Sequence, residues 1–367
     1  MKIPVLIVGG GLSGLTAAHQ LHQAGVGFRL IEARERLGGR ILTCDAEPAA
    51  SADGFDLGPS WFWPDIQPAI GELVRELGLD AFAQHEEGDM LFERVHGEAP
   101  QRLHGMRQVP ASMRISGGTG ALVAALADRL PVHAIQLGSR VVRVTQIGQE
   151  VEVGLLDSNG TAASLRASHV LLALPPRLLA ATVTFSPPID AATAQSWRDT
   201  PTWMAPHAKF LAIYDRPFWR EAGLSGTVQS TVGPLVETHD ATSASGRAAL
   251  FGFVGVPAAE RARYGEAAVV AASVRQLTRL FGPEAATPQI TFYKDWASDP
   301  LTATREDAQA GEHPESGPLV QVADGWRGYI WLAGSEAARQ DAGYLAGAVH
   351  AARYATSMIL SEMESAP

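Results

Sequence analysis

The stretch KIPVLIVGGGLSGLTAAHQLHQAG, residues 2–25, predicts the fold of the amino-terminal part of the chain. Its apolar, β-branched start indicates a strand, which should begin at or just after Pro4 because proline cannot donate to a sheet ladder. Gly9, Gly11 and Gly14 follow, and then apolar residues at helical spacing as far as Gly25. A strand, a glycine turn and a helix in this order indicate the start of a βαβ unit that binds a dinucleotide.

Each glycine of this turn has its own physical task. The first permits a tight turn, the second lets the backbone approach a pyrophosphate, and the third lets the helix pack on the strand. A second strand, residues 28–32, ends on Glu32, whose carboxylate can accept hydrogen bonds from ribose hydroxyls. Its negative charge disfavours the 2′-phosphate of NADP, whereas FAD and NAD both fit these residues.

Composition restricts the class of protein. The 367 residues suffice for two domains, and 39 acidic against 29 basic residues argue against a nucleic-acid partner. A single cysteine, Cys44, excludes an internal disulfide and a multi-thiolate cluster. We find no signal-peptide pattern and no apolar run long enough for a bilayer, so we expect a soluble, cytoplasmic protein without a membrane partner. His19 and His22 lack a third ligand, so we expect surface histidines and no metal site.

The rest of the chain predicts further elements. Helices are expected over 66–77, 119–130, 266–281 and 343–363, and little periodicity over 81–113. Strands are expected at 140–145, 150–156 and 168–174 as a small antiparallel layer, then at 210–214 and on to about 254, at 289–293 and at 329–333. The nucleotide-binding fold is therefore assembled from both ends of the chain.

Five segments together resemble the flavin-containing amine oxidase family, which includes monoamine and polyamine oxidases. They are the glycine turn, EARERLGGR at 32–40, DLGPSW at 56–61, KFLAIYDRPFW at 209–219 and WLAGSEAARQDAGYLAGA at 331–348, in the family's order. The resemblance implies an α/β fold with a discontinuous Rossmann-like FAD-binding domain, residues 1–80, 114–199 and 306–367. An inserted α+β substrate-binding domain would take residues 81–113 and 200–305.

The resemblance also implies the residues that hold FAD, non-covalently since no cysteine stands at the family's attachment position. The pyrophosphate would contact the glycine turn, and the ribose would contact Glu32. The adenosine and phosphate side would contact the segment after Glu32, and adenine would contact Val141. The flavin ring would lie beside 58–61 and under 343–345. The full predicted set is Gly9, Gly11, Ser13, Gly14, Glu32, Ala33, Arg34, Gly39, Arg40, Gly58, Ser60, Trp61, Val141, Glu336, Gly343 and Leu345. Arg36 is expected on a solvated charged face.

Two residues carry the expected chemistry. The resemblance implies that Lys209 holds a water against flavin N5, where its cation would favour the negative charge that develops on oxygen; the alternative is an ordinary strand-edge lysine. Tyr344 would guide the substrate with its ring. The comparable position for a second aromatic holds Thr304, Arg305 and Glu306. We expect Arg305 and Glu306 to line the cavity and bind a polar substrate group, the alternative being that they face solvent.

Residues 61–63, Trp-Phe-Trp, could supply the missing wall or could be core. The implied reaction moves hydride from the carbon of a neutral small-molecule amine to flavin N5, and the resulting imine is hydrolysed to a carbonyl compound. The flavin would then be reoxidised by O2 or another acceptor. Two alternatives stay open: a desaturase or isomerase of an apolar substrate, and a flavin-binding protein without turnover. The amine and the oligomeric state are not fixed by the sequence.

Overall fold

The computed structural model describes residues 3–45, 53–105, 107–308, 322 and 324–365. The strands, in chain order, are β1 (Ile3–Val8), β2 (Phe28–Ile31), β3 (Thr43–Cys44), β4 (Phe55–Asp56), β5 (Ala81–Ala83), β6 (Asp89–Glu93), β7 (Gln101–Leu103), β8 (Met113–Ile115), β9 (Ile135–Gln136), β10 (Ser139–Ile147), β11 (Glu150–Asp157), β12 (Ala162–Leu172), β13 (Thr184–Ser186), β14 (Ala208–Tyr214), β15 (Leu224–Ser230), β16 (Leu235–Asp240), β17 (Ala248–Val254), β18 (Ile290–Asp295) and β19 (Ile330–Leu332).

The α-helices of the described residues include all the expected ones, together with four short helices between residues 176 and 264 that the sequence pattern did not indicate. They are α1 (Leu12–Gln23), α2 (Pro68–Leu77), α3 (Gly120–Ala127), α4 (Pro176–Thr182), α5 (Ala191–Asp199), α6 (Phe218–Glu221), α7 (Ala258–Tyr264), α8 (Glu266–Phe281) and α9 (Leu345–Ser365). Helix α2 begins two residues later than expected because Pro68, with its fixed φ and no N–H, occupies the first helical turn. Helix α8 spans the expected residues, 266–281.

The first sheet joins a parallel and an antiparallel part through one long strand. Its order is β13-β10-β11-β12-β1-β2-β9, with β19 also paired to β12. The first half of β12 is antiparallel to β11, and its second half is parallel to both β1 and β19. The expected strands at 140–145 and 150–156 are confirmed as an antiparallel pair. The third expected strand of that layer, 168–174, was assigned wrongly, because residues 169–172 pair in parallel with β1 and residues 162–167 supply the antiparallel partner. Strand β19 comes from the far end of the chain, as expected for a fold built from both ends.

The expected start of β1 was wrong, and a stretch with little periodicity holds strands that the sequence did not indicate. Strand β1 begins at Ile3, before Pro4, because the missing proline N–H falls at the start of the strand, where a ladder bond to β2 is not yet needed. Residues 81–115 hold four strands, of which β6 and β7 extend the second sheet, in the order β18-β14-β17-β16-β15-β6-β7. These strands have three to five residues each, too few for an alternation to be recognised.

Apolar cores lie on both sides of the first sheet and place its carboxyl edge opposite the second sheet. Helices α1, α2, α3 and α9 pack on one face, and α4 and α5 contribute to the core on the other. A smaller core that includes Phe55, Leu211 and Phe251 joins β4 to β14 and β17. The site therefore lies between two sheets that share packed side chains. The predicted domain boundaries stay a prediction, and residues 309–321 of the third FAD segment lie outside the described residues.

The expectation for His19 was also wrong. Its side chain is buried and bonds to Glu76 Oε1 at 3.1 Å, whereas His22 is exposed as expected. Among the described residues there is no group of histidine, cysteine and carboxylate side chains that could hold a metal ion. In the same part of the chain, none of the helices has the length and apolarity needed to cross a bilayer.

Candidate active site

A cavity of about 420 Å³ lies at the carboxyl ends of β1 and β2, the edge where ligands bind in open α/β sheets. Its lining comes from both sheets and from the loops between them. Most of the predicted site residues line it: Gly9, Gly11, Ser13, Glu32, Ala33, Arg34, Gly39, Arg40, Gly58, Ser60, Trp61, Val141, Lys209, Gly343, Tyr344 and Leu345. Gly14 and Glu336 are not among the lining residues.

The glycine turn leaves room for a ligand where the fingerprint requires it. Gly9 has a φ of +107°, which favours glycine. A Cβ on Gly11 would meet only the Gly38 carbonyl oxygen, at 3.8 Å, so the space beside it is open to a phosphate. A Cβ on Gly14 would lie 1.9 Å from the Gly9 oxygen, so Gly14 serves helix packing and not ligand contact. These residues fit the pyrophosphate of a dinucleotide.

Glu32 is buried beside the turn and is fixed by two backbone donors. Its Oε2 accepts from the Gly10 N–H at 2.7 Å and its Oε1 from the Arg34 N–H at 2.8 Å. A carboxylate has about four acceptor sites, so both oxygens can still accept from a ribose. The Ser13 hydroxyl donates to the Ala333 carbonyl, which leaves the helix N-terminus to contact phosphate.

The three arginines after Glu32 have different roles. Arg34 lines the cavity and donates from Nη1 to Asp299 Oδ1 at 3.0 Å. Arg36 was expected on a solvated face, and this was wrong: it is half-buried and donates to the carbonyls of Leu37, Gly39 and Ile41. A guanidinium has five donors, which suits it to a glycine loop that leaves carbonyls unpaired.

Arg40 is held by Glu336, which explains why Glu336 does not reach the cavity. Arg40 Nη1 donates to Glu336 Oε1 at 2.5 Å and to the Trp203 carbonyl at 3.1 Å, and Nη2 donates to Glu336 Oε2 at 3.0 Å. The Glu336 side chain is fully buried, and its Oε1 also accepts from the Trp203 N–H at 3.3 Å. Glu336 therefore positions Arg40 and Trp203, and its direct contact with the cofactor stays a prediction.

Lys209 lies in the interior strand β14 and not on a sheet edge. Its Nζ donates to Ser60 Oγ at 2.6 Å and to the Gly58 carbonyl at 3.0 Å, and it lies 4.1 Å from the ring centroid of Phe251. An ammonium has three N–H donors, so one is left for a further acceptor in the cavity. Burial lowers the pKa of Lys209 to about 7, against the opposing charge of Asp56.

Aromatic rings form the wall around Tyr344. The ring centroids of Trp63 and Trp203 lie 6.1 and 6.5 Å from that of Tyr344. Trp61 also lines the cavity, whereas Phe62 is core, so the Trp-Phe-Trp run serves both purposes. Cys44 does not line the cavity, and burial raises the pKa of its thiol to about 12.

The expectation that Arg305 and Glu306 line the cavity was wrong. Both are exposed, and the neighbouring Asp307 is buried in their place, where its Oδ1 accepts from Arg177 Nη1 at 2.6 Å. An unpaired charge is costly to bury, and here only the carboxylate has a buried partner. The polar wall that these residues were expected to form is absent from this segment.

Comparison with known proteins decides the family. A description of the family "Flavin containing amine oxidoreductase" matches residues 96–360, and one for the NAD(P)-binding Rossmann-like domain matches residues 7–77. The chain belongs to the flavin-containing amine oxidoreductase family. FAD is therefore its cofactor, and the predictions of the family, of the Rossmann-like fold and of an FAD-dependent oxidoreductase are confirmed.

Relatives of this amine oxidoreductase span oxidases and a dehydrogenase. It is similar to a probable flavin-containing monoamine oxidase A of Dictyostelium discoideum, 23% identical with 94% of each chain covered. It is 25% identical to an L-amino acid dehydrogenase of Synechocystis, covering 97% of this chain and 94% of that one. The solved structure of putrescine oxidase bound to putrescine has a TM-score of 0.77 at 22% identity, covering 98% and 99%. Cyclohexylamine oxidase from Brevibacterium oxydans has 0.78 at 21%, covering 99% and 100%.

Sequence reasoning missed several segments of the amine oxidoreductase's site, among them residues 173–175, 300–302 and the loop before β14. Trp203, Met204 and His207 line the cavity from the loop before β14. The segment has no periodicity, so pattern analysis gives it no structure. The available signal was a tryptophan and a histidine close before the lysine that the family resemblance had already marked.

Proposed function

We propose that this amine oxidoreductase oxidises a small amine with an apolar or aromatic body and passes the electrons to O2. The observation that carries the proposal is the composition of the cavity. It joins the dinucleotide turn to a wall of aromatic rings and to a buried lysine. Of the described residues that line it, Glu32 alone carries a carboxylate, and Glu32 lies at the glycine turn.

Bound FAD supplies the redox chemistry by accepting hydride from the carbon that bears the amine nitrogen. The protein's part is to bind and orient the amine and to exclude water. Trp203 and Tyr344 present aromatic surface to the cavity, and loss of hydration disfavours a charged ammonium there relative to a neutral amine. An ammonium cannot release hydride from its carbon, so activity should rise with pH as the free amine is formed.

Lys209 is the residue that we assign to the oxygen step. A cation beside the site of oxygen reduction stabilises the negative charge that develops there. The remaining N–H of its Nζ can hold a water or an oxygen species, since Gly58 and Ser60 occupy the other two. We also expect FAD to be non-covalent, because Cys44 lies outside the cavity lining and its thiol stays protonated. The single cysteine fits a reducing compartment, and we propose the cytoplasm.

The test is a stopped-flow comparison of the two half-reactions. Under anaerobic conditions, apolar primary amines such as 2-phenylethylamine should bleach the flavin absorbance, and air should then restore it with formation of hydrogen peroxide. Lys209→Met should slow the reoxidation of the reduced flavin by air by about tenfold or more. It should change the rate of flavin reduction by the amine much less. Failure of every amine in a broad panel to bleach the flavin would refute amine oxidation. Equal reoxidation rates in the two proteins would refute the role of Lys209.

A further inference from the structure

His207 lines the cavity, yet its ring has no hydrogen-bond partner in the described part of the chain. It directly precedes β14, two residues before Lys209, and both residues line the cavity. The centroid of its ring lies 6.4 Å from that of Trp203, which in turn lies 6.5 Å from Tyr344. His207 therefore belongs to the same wall as the rings that surround the proposed amine site.

The backbone around His207 is fixed from three directions. Arg261 Nη2 donates to the Pro206 carbonyl at 2.8 Å, the His207 N–H donates to Met204 O at 3.1 Å, and the Trp296 N–H donates to His207 O at 3.0 Å. Met204 has a φ of +62°, a conformation that costs energy in a residue other than glycine. Such strain is found where the surroundings hold a side chain in one place for a function.

Burial of the ring favours its neutral form. Arg261 on α7 and Asp295 on β18 face it, and they bind each other through two contacts of 2.7 Å. Burial, and after it the charge of Arg261, lower the pKa of His207. A neutral imidazole offers one N–H donor and one acceptor. Asp295 is bound by Arg261 and does not line the cavity, and no carboxylate is among the described lining residues beside the ring, so this wall favours an oxygen acceptor.

We propose that His207 donates a hydrogen bond to an oxygen acceptor carried by the amine, either a carboxylate or a neutral carbonyl, and so selects the substrate. The inference rests on the proposed amine oxidation and names its substrate class. A substrate without the oxygen leaves the N–H of the half-buried imidazole unpaired, and an unpaired polar group costs binding energy. The residue assigned is a different one from Arg305, which is exposed.

The test compares His207→Leu, which removes the donor, with His207→Asn, which keeps one. For the FAD-loaded enzyme, kcat/KM is measured with 2-phenylethylamine, phenylalaninamide and phenylalanine. In His207→Leu, kcat/KM should fall by about tenfold or more for the amine whose oxygen is bound. For 2-phenylethylamine, kcat/KM should fall by less than about twofold. His207→Asn should recover most of the loss. His85→Leu is the matched control, because burial also lowers the pKa of His85 while its ring does not line the cavity.

Binding without turnover provides a second readout. Perturbation of the flavin spectrum gives the Kd of 3-phenylpropionate and of its amide, neither of which can be oxidised as an amine. If His207 binds a carboxylate, 3-phenylpropionate should bind more tightly as the pH falls, because His207 gains a proton. If His207 binds a neutral carbonyl, the amide should bind more weakly to His207→Leu than to the wild type. Equal losses for all three amines, or unchanged Kd values for both probes in His207→Leu, would overturn the proposal. Inactivity toward every amine would refute the proposed function, while the two probes would still decide the role of His207.

Discussion

Replacing Lys209 by methionine should change how stability depends on pH. The pKa of Lys209 falls from 10.5 to about 7 in the folded protein, chiefly through burial. Between these two values the unfolded chain binds the proton more strongly than the folded one. Stability therefore rises with pH across this range, and the methionine variant lacks this contribution.

The size of the effect follows from the two pKa values. One pH unit is worth about 1.36 kcal/mol for each proton of difference between the states. Because the folded lysine is about half protonated near pH 7 and nearly neutral near pH 9, the wild type should gain about 2 kcal/mol over Lys209→Met between these pH values. Losses of packing and of the hydrogen bonds to Gly58 and Ser60 are the same at both pH values and cancel.

The assay is urea unfolding of both proteins near pH 7 and near pH 9, at one saturating FAD concentration. Lys294→Met is a matched control. Lys294 on β18 is the register partner of Lys209 on β14, but its ammonium forms an ion pair with Asp299 at 2.8 Å. The control should show the wild-type response to pH. A difference between wild type and Lys209→Met that stays constant within about 0.5 kcal/mol would refute the lowered pKa.

Three other outcomes are expected. Gly14→Ala should abolish FAD binding, measured as flavin per protein after purification, because the added Cβ would overlap the backbone of the glycine turn. Gly27→Ala is the control and should bind FAD normally, because its Cβ would meet only side-chain carbons, at 3.5 Å or more. Arg305→Ala should leave kcat/KM within about twofold for polar and apolar amines alike, since exposed substitutions have small effects, and a selective loss would return Arg305 to the cavity. Glu336→Gln should weaken FAD binding by about tenfold, followed by titration of the apoprotein, because Arg40 loses a charged, bidentate partner; an unchanged Kd would show that Arg40 does not contact the cofactor.

The sequence by itself determined the features that depend on neighbours along the chain. The strand, glycine turn and helix of residues 3–23 form as expected, because their signals are local: β-branched residues, glycines at fixed spacing and a helical apolar period. Helix α8 was placed correctly for the same reason. The order of the motifs along the chain was enough to indicate the family and its cofactor.

Only the tertiary structure decided which of these residues face the cavity. Arg40 and Glu336 are 296 positions apart and meet because β19 pairs beside β12, which no local pattern records. His207 lies in a loop without periodicity. Arg305 is exposed, whereas the neighbouring Asp307 is buried and accepts a hydrogen bond from Arg177. Whether a polar side chain lies in a cavity depends on the partner that distant strands bring to it, since burial without a partner is too costly to persist.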